Sequence, residues 1–132
     1  MEEKDFFLRK TKELRAQVSE LYIYGAGLYG RNIYEILHDD GICVDGFIVT
    51  HPGKEKELYK LPVLGADGVL HKDIGIVIGT NSLNRTGIME KLQQNQFNME
   101  HVVQGTDYIE KYGHRYDGSL TMQITTRVGC SV

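Results

Sequence analysis

The sequence predicts an α/β fold: an open, mainly parallel sheet of about five strands with helices on both faces. Three observations carry this reading. Short runs of β-branched and aromatic residues end on glycine, segments of helical periodicity separate them, and Ile74-Gly75-Ile76-Val77-Ile78 has the unbroken hydrophobicity of a parallel strand buried on both sides. With 132 residues the chain fits one domain with a real apolar core. It has 15 glycines against 2 prolines, many of them just after predicted strands, where a backbone must turn sharply or approach a ligand.

Phe7, Leu14, Val18 and Leu21 fall at helical spacing in a charged stretch, so residues 3–19 read as an amphipathic helix. Leu21-Tyr22-Ile23-Tyr24 is a buried first strand that ends on Gly25. Over residues 28–39, Ile33, Ile36 and Leu37 share one helical face, and Gly41 supplies the left-handed residue that commonly closes a helix. Residues 44–49 form a second strand, parallel to the first through a right-handed crossover. Residues 50–57 are polar and turn-forming, and Leu61-Pro62-Val63-Leu64 is a third strand placed near an edge by Pro62. A brief helical turn over 67–70 leads to the central strand at 74–78. A helix over 84–94, packed through Ile88, Met89 and Leu92, is followed by a fifth strand near 100–103. Residues 1–104 thus read as a Rossmann-like, doubly wound domain. Beyond it, 106–112 reads as a short helix, 113–119 as a loop and 120–128 as a new strand, so 105–132 is a linker with the start of a truncated C-terminal domain.

The net charge of −3 argues against a nucleic-acid partner, which would need a concentrated excess of Lys and Arg. The N-terminus Met1-Glu2-Glu3-Lys4-Asp5 is acidic, and no apolar run has the length of a membrane span or signal-peptide core, so no membrane partner is expected. Cys43 and Cys130 are too few for a disulfide framework and favour a reducing cytoplasm.

The run Gly25-Ala26-Gly27-Leu28-Tyr29-Gly30 lies between a predicted strand and a predicted helix, the context in which a Gly-x-Gly-x-x-Gly spacing gains meaning. Gly25 permits the tight turn, Gly27 lets the backbone approach a pyrophosphate, and Gly30 lets the helix pack on the sheet. Amide hydrogens and the helix dipole then face the anion. The plain alternative is three glycines easing a turn in a domain that has lost its ligand.

A dinucleotide site also calls for a carboxylate at the end of the second strand, to bond the ribose hydroxyls. Thr50 and His51 stand there, and Asp45 sits at the strand's other end. Thr50 can bond a ribose hydroxyl and His51 can stack or bond, or both are ordinary loop residues, so NAD and a UDP-sugar or other mononucleotide sugar remain open as the ligand. The loop Gly79-Thr80-Asn81-Ser82-Leu83-Asn84-Arg85 should form the second wall, with Gly79, Thr80, Asn81 and Arg85 facing a sugar or diphosphate. Its alternative is helix capping by Ser82 or Asn84 with Arg85 solvated.

Self-contained catalysis is not visible. No Tyr is followed four positions later by Lys, and the five histidines, at 38, 51, 71, 101 and 114, lack metal-ligand spacing. There is neither a nucleophile elbow nor a carboxylate cluster.

Residues 21–103 resemble the N-terminal Rossmann-like domain of bacterial sugar acetyltransferases that bind a UDP-sugar, and similar segments of nucleotide-sugar dehydratase-like proteins. The matching pieces are Tyr22-Ile23-Tyr24-Gly25-Ala26-Gly27, Val44-Asp45-Gly46-Phe47-Ile48, Leu61-Pro62-Val63-Leu64-Gly65 and Ile76-Val77-Ile78-Gly79-Thr80-Asn81. Where that family's second strand runs into Asp, this one has Val49-Thr50-His51. The C-terminal run Leu120-Thr121-Met122-Gln123-Ile124-Thr125-Thr126-Arg127-Val128-Gly129-Cys130 looks like the first strand and cluster loop of a radical S-adenosylmethionine enzyme. That resemblance implies Cys130 as the first ligand of a 4Fe-4S cluster that chelates S-adenosylmethionine in a full-length protein. The alternative is an extra strand with an ordinary thiol.

The leading expectation is an accessory domain, binding a small-molecule nucleotide beside a catalytic domain in the same chain, with a homodimer left open. The rivals are an NAD-dependent oxidoreductase or its subunit, and a protein-interaction scaffold that docks through the Phe6-Phe7-Leu8 helix.

Overall fold

Nine regular elements alternate along the chain in the computed structural model, which describes residues 3–69 and 73–105. They are α1 (Glu3–Gln17), β1 (Leu21–Tyr24), α2 (Leu28–Asp39), β2 (Gly46–Val49), β3 (Glu57–Leu58), β4 (Leu61–Gly65), β5 (Gly75–Ile78), α3 (Ser82–Gln94) and β6 (Val102–Gln104). They build an α/β structure on one six-stranded sheet of order β3-β4-β2-β1-β5-β6. Every pairing is parallel except that of β3 with β4.

Alternation along the strands divides the core into two layers. Leu21, Ile23, Phe47 and Val77 pack on one face with Phe7 and Leu14 of α1 and Ile33 and Leu37 of α2. Tyr22, Tyr24, Ile48, Ile76 and Ile78 pack on the other with Ile88 and Leu92 of α3 and with Phe97. Helices therefore cover both faces, and a fully buried Leu or Ile in either layer contributes about 1.5–3 kcal/mol by leaving water.

The helix at 28–39 lies where its periodicity placed it, and Gly41, at φ 76°, follows its C-terminus. Other boundaries move: α1 stops at Gln17, β2 begins at Gly46, α3 begins at Ser82, and the strand expected near 100–103 is Val102–Gln104 after a 3-10 turn at Met99–His101. The helical turn is a 3-10 turn at Ala66–Gly68.

The sheet has six strands because the two-residue β3 forms at the end of the stretch read as turn, on Glu57 and Leu58. Tyr59 and Lys60 close the β3–β4 hairpin at φ 54° and 64°, a tight connection that usually takes Asn-Gly. Tyr59 compensates by stacking on Tyr34, ring centroids 4.2 Å apart. The strand that carries Pro62 does lie near an edge: β4 is second in the sheet, covered only by the two-residue β3. Pro62 precedes the first β2–β4 ladder pair, Phe47 with Val63, and its ring lies where a Cβ on Gly46 would be, so its missing N–H interrupts no bond of that pair.

Beyond β6, Gly105 donates its N–H to the Ile78 carbonyl at 2.9 Å. The readings on residues 106–132, Cys130 among them, and on residue 70 lie outside the described residues. Among the described residues no helix is long and apolar enough to cross a membrane.

Asp45 holds the opposite edge of the sheet together. Its Oδ2 accepts from the Leu21 N–H at 2.9 Å and from Arg15 Nη1 at 2.9 Å, tying α1 to the start of β1. Asp45→Ala leaves both donors without this acceptor and is expected to lower stability by about 1–3 kcal/mol in urea unfolding; a change below about 0.5 kcal/mol would deny Asp45 this role.

Candidate functional site

Because β1, β2 and β5 run parallel, their carboxyl ends meet at one edge, and the chain leaves β1 there through the glycine corner. The corner continues the sheet: Gly25 donates to the Ile48 carbonyl at 2.8 Å, and Gly79 donates to the Tyr24 carbonyl at 2.9 Å. Gly25 adopts φ 124°, and a Cβ on it would strike the Gly79 carbonyl and lie 2.8 Å from Thr80 Cγ2. A Cβ on Gly30 would strike the Gly25 carbonyl, which leaves no room for a side chain where α2 crosses the end of β1.

Gly27 differs. It is the N-cap of α2 with φ −88°, a conformation open to any residue, and a Cβ there would meet nothing within 4 Å. No side chain caps α2, whose first turn closes through Arg31 N–H to the Gly27 carbonyl at 3.0 Å. The contrast with α3 is direct: Asn81 caps that helix, its Oδ1 accepting from the Asn84 N–H at 3.2 Å. The cap is thus Asn81 rather than Ser82 or Asn84, because the loop keeps Asn81 extended at φ −72°, ψ 165°.

A cleft of about 610 Å³ opens on the α3 side of the sheet. Its floor is Tyr24 and Gly25 at the end of β1, with Val49, Thr50 and His51 at the end of β2. Thr80 and one flank of α3, from Leu83 through Gly87 to Lys91, form the wall.

On the floor the Tyr24 and Thr50 hydroxyls are 2.6 Å apart. Burial pushes the Tyr24 phenol above its ordinary range, against the opposing pull of the Thr50 hydrogen bond and the Lys91 ammonium. The phenol therefore stays protonated at neutral pH. One proton of the pair is spent in its own hydrogen bond, and the other remains available to a ligand, beside several lone pairs. Lys91 is held against Asp67 at 2.9 Å. Arg31 lies beside the glycine corner, donating through Nε to the Ala26 carbonyl at 3.3 Å and through Nη2 to Glu55 at 3.4 Å.

Of the residues singled out in the sequence, Gly25, Thr50, His51 and Thr80 come together around the cleft. Ala26, Gly27, Leu28, Tyr29 and Gly30 form the adjoining corner and first turn of α2 rather than the cleft wall. Gly79 is buried behind Gly30, Asn81 serves as a cap, and Arg85, expected in the second wall, is half-buried and off the lining. Sequence reasoning did not single out Tyr24 as a binding residue, and it missed the flank of α3 beyond the 79–85 stretch, whose Leu83 and Asn84 line the cleft. The available signal was Gly87, a glycine inside a helix where periodicity shows no turn.

No family model matches the chain, and neither a curated protein nor a solved structure matches it.

Gly30→Ala should lower stability by about 3 kcal/mol, since backbone must move to admit the methyl group. Gly27→Ala should change it by no more than about 1 kcal/mol, the difference between the two as N-caps. Equal losses in urea unfolding would contradict the steric distinction. Alkaline pH supplies a second check. Burial, with the Glu20 and Asp45 carboxylates nearby, pushes the Tyr22 phenol up to about 12. The unfolded chain then releases that proton first, so the contribution of Tyr22 to stability is complete below about pH 10 and is lost towards pH 12. Tyr22→Phe should flatten the decline measured by denaturant unfolding across that range.

Proposed function

We propose that residues 1–104 form a Rossmann-like, doubly wound domain that binds a nucleotide or nucleotide sugar at this edge, as an accessory domain that holds the ligand without transforming it. The strand order supports the fold assignment: the chain winds outward from β1 through β2 to β4, then returns to β5 on the other side of β1. In open sheets of this kind ligands bind outside the carboxyl ends of the strands, at the point where the order reverses.

The observation that carries the reading is the division among the three corner glycines. Gly25 and Gly30 are required by contacts within the chain, whereas Gly27 faces open space, at the start of a helix that has no side-chain cap. An N-terminus of this form suits phosphate, which replaces the missing cap with its own oxygens and meets the positive end of the helix dipole. The sugar would then lie over the Tyr24–Thr50 hydroxyl pair, which takes the place of the usual carboxylate at the end of β2. The cleft volume of about 610 Å³ suits a ligand of that size.

A vestigial pocket would be filled by neighbouring side chains. Tyr29 instead packs against the core on the α1–α2 side, and Tyr24 lies in the floor, bonded to Thr50, with the cleft open above it.

Calorimetric titration with ADP, UDP-sugars and NAD should give saturable binding by at least one of them. Gly27→Asp supplies a capping carboxylate that suits the helix and repels phosphate, so affinity should fall at least about tenfold while Tm holds or rises. Absence of saturable binding by all three ligand classes would refute the proposal.

A further inference from the structure

Resting on the nucleotide reading, we infer that α3 carries the seat for the ligand's planar base, lying flat over Gly87 between Leu83 and Lys91. Glycine is the poorest helix former after proline, yet Gly87 occupies the interior of α3. The other glycine inside a helix, Gly30, is forced by the carbonyl of Gly25. Nothing forces Gly87: a Cβ there would meet no atom within 4 Å. Its neighbours one turn away, Leu83, Asn84 and Lys91, line the same cleft, so the bare patch lies in the middle of the cleft wall.

The chemistry around that patch suits an aromatic ring. Leu83 is 90% exposed, an apolar side chain that the fold itself leaves uncovered. Lys91 offers a four-carbon stem on the other side of the glycine, with its ammonium held at Asp67. Backbone without a side chain between two apolar borders accepts a flat group and excludes a bulky one. Asn84 and Gln94, which also line the cleft, carry amides able to donate to or accept from a base edge. The phosphate end of the ligand would lie at the α2 corner and the base end at α3, with the Tyr24–Thr50 pair between them.

Gly87→Leu tests the assignment, because it improves helix propensity while filling the seat. Phosphorus NMR titrations of the full chain with ADP, UDP and pyrophosphate report weak and strong binding alike. For the variant, ADP and UDP affinities should fall at least about tenfold, the worth of a stacked base. Pyrophosphate affinity should stay within about twofold and Tm should rise by about 4 °C. Nucleotide affinities that stay within about twofold of wild type would overturn the base seat and leave the nucleotide reading standing. So would equal losses for nucleotides and pyrophosphate, or a wild-type protein that binds pyrophosphate as tightly as ADP and UDP. If wild type binds none of the three, the seat falls, and the nucleotide reading falls with it when UDP-sugars and NAD also fail to bind.

Discussion

Three stretches of main chain meet where β1 becomes α2, and no side chain fits between them. Gly30 rests on the carbonyl of Gly25, Gly25 on the carbonyl of Gly79, and Gly79 on the backbone of Gly30. This contact sets the angle at which α2 leaves the sheet, and with it the position of the helix N-terminus relative to the ends of β2 and β5. It also closes the back of the corner, so that the free space lies to the front, at Gly27. The candidate site follows from that constraint.

Elements with a strong, self-contained pattern were legible from sequence. The helix at 28–39 has a clean apolar face and a glycine stop, and β5 has an apolar run that fits only a doubly covered strand. What sequence reasoning missed depends on contacts between distant segments. The β3–β4 hairpin closes on Tyr59 and Lys60, neither a usual residue for left-handed backbone. It is held by aromatic stacking of Tyr59 on Tyr34, which no local pattern reveals. Pro62 suggested a place near an edge because proline lacks a donor, and β4 is second in the sheet; its position just before the first β2–β4 ladder pair, beside Gly46, makes the missing donor harmless.

For the candidate site, residues on the loops that follow strands were legible, because parallel topology brings those loops to one edge. Gly25, Thr50, His51 and Thr80 meet there. The loop after β5 was read as a wall, yet its first residues support the backbone: Gly79 is packed behind the corner and Asn81 caps α3. Thr80, Leu83 and Asn84 of that stretch do line the cleft, and the wall continues along the flank of α3 to Lys91. Polar residues on a helix look like a solvated face in sequence, and only the sheet's geometry turns that flank towards a cleft.

The parallel pairing of β5 and β6 brings the chain out at Gly105 on the same edge as the cleft, fastened by its bond to the Ile78 carbonyl. A protein segment joined after this point is tethered close to any molecule held there. Such a leash raises the effective concentration of the one for the other without any new contact surface, to roughly the millimolar range for a short flexible connection. The direction of β6 thus fixes the edge from which the chain continues.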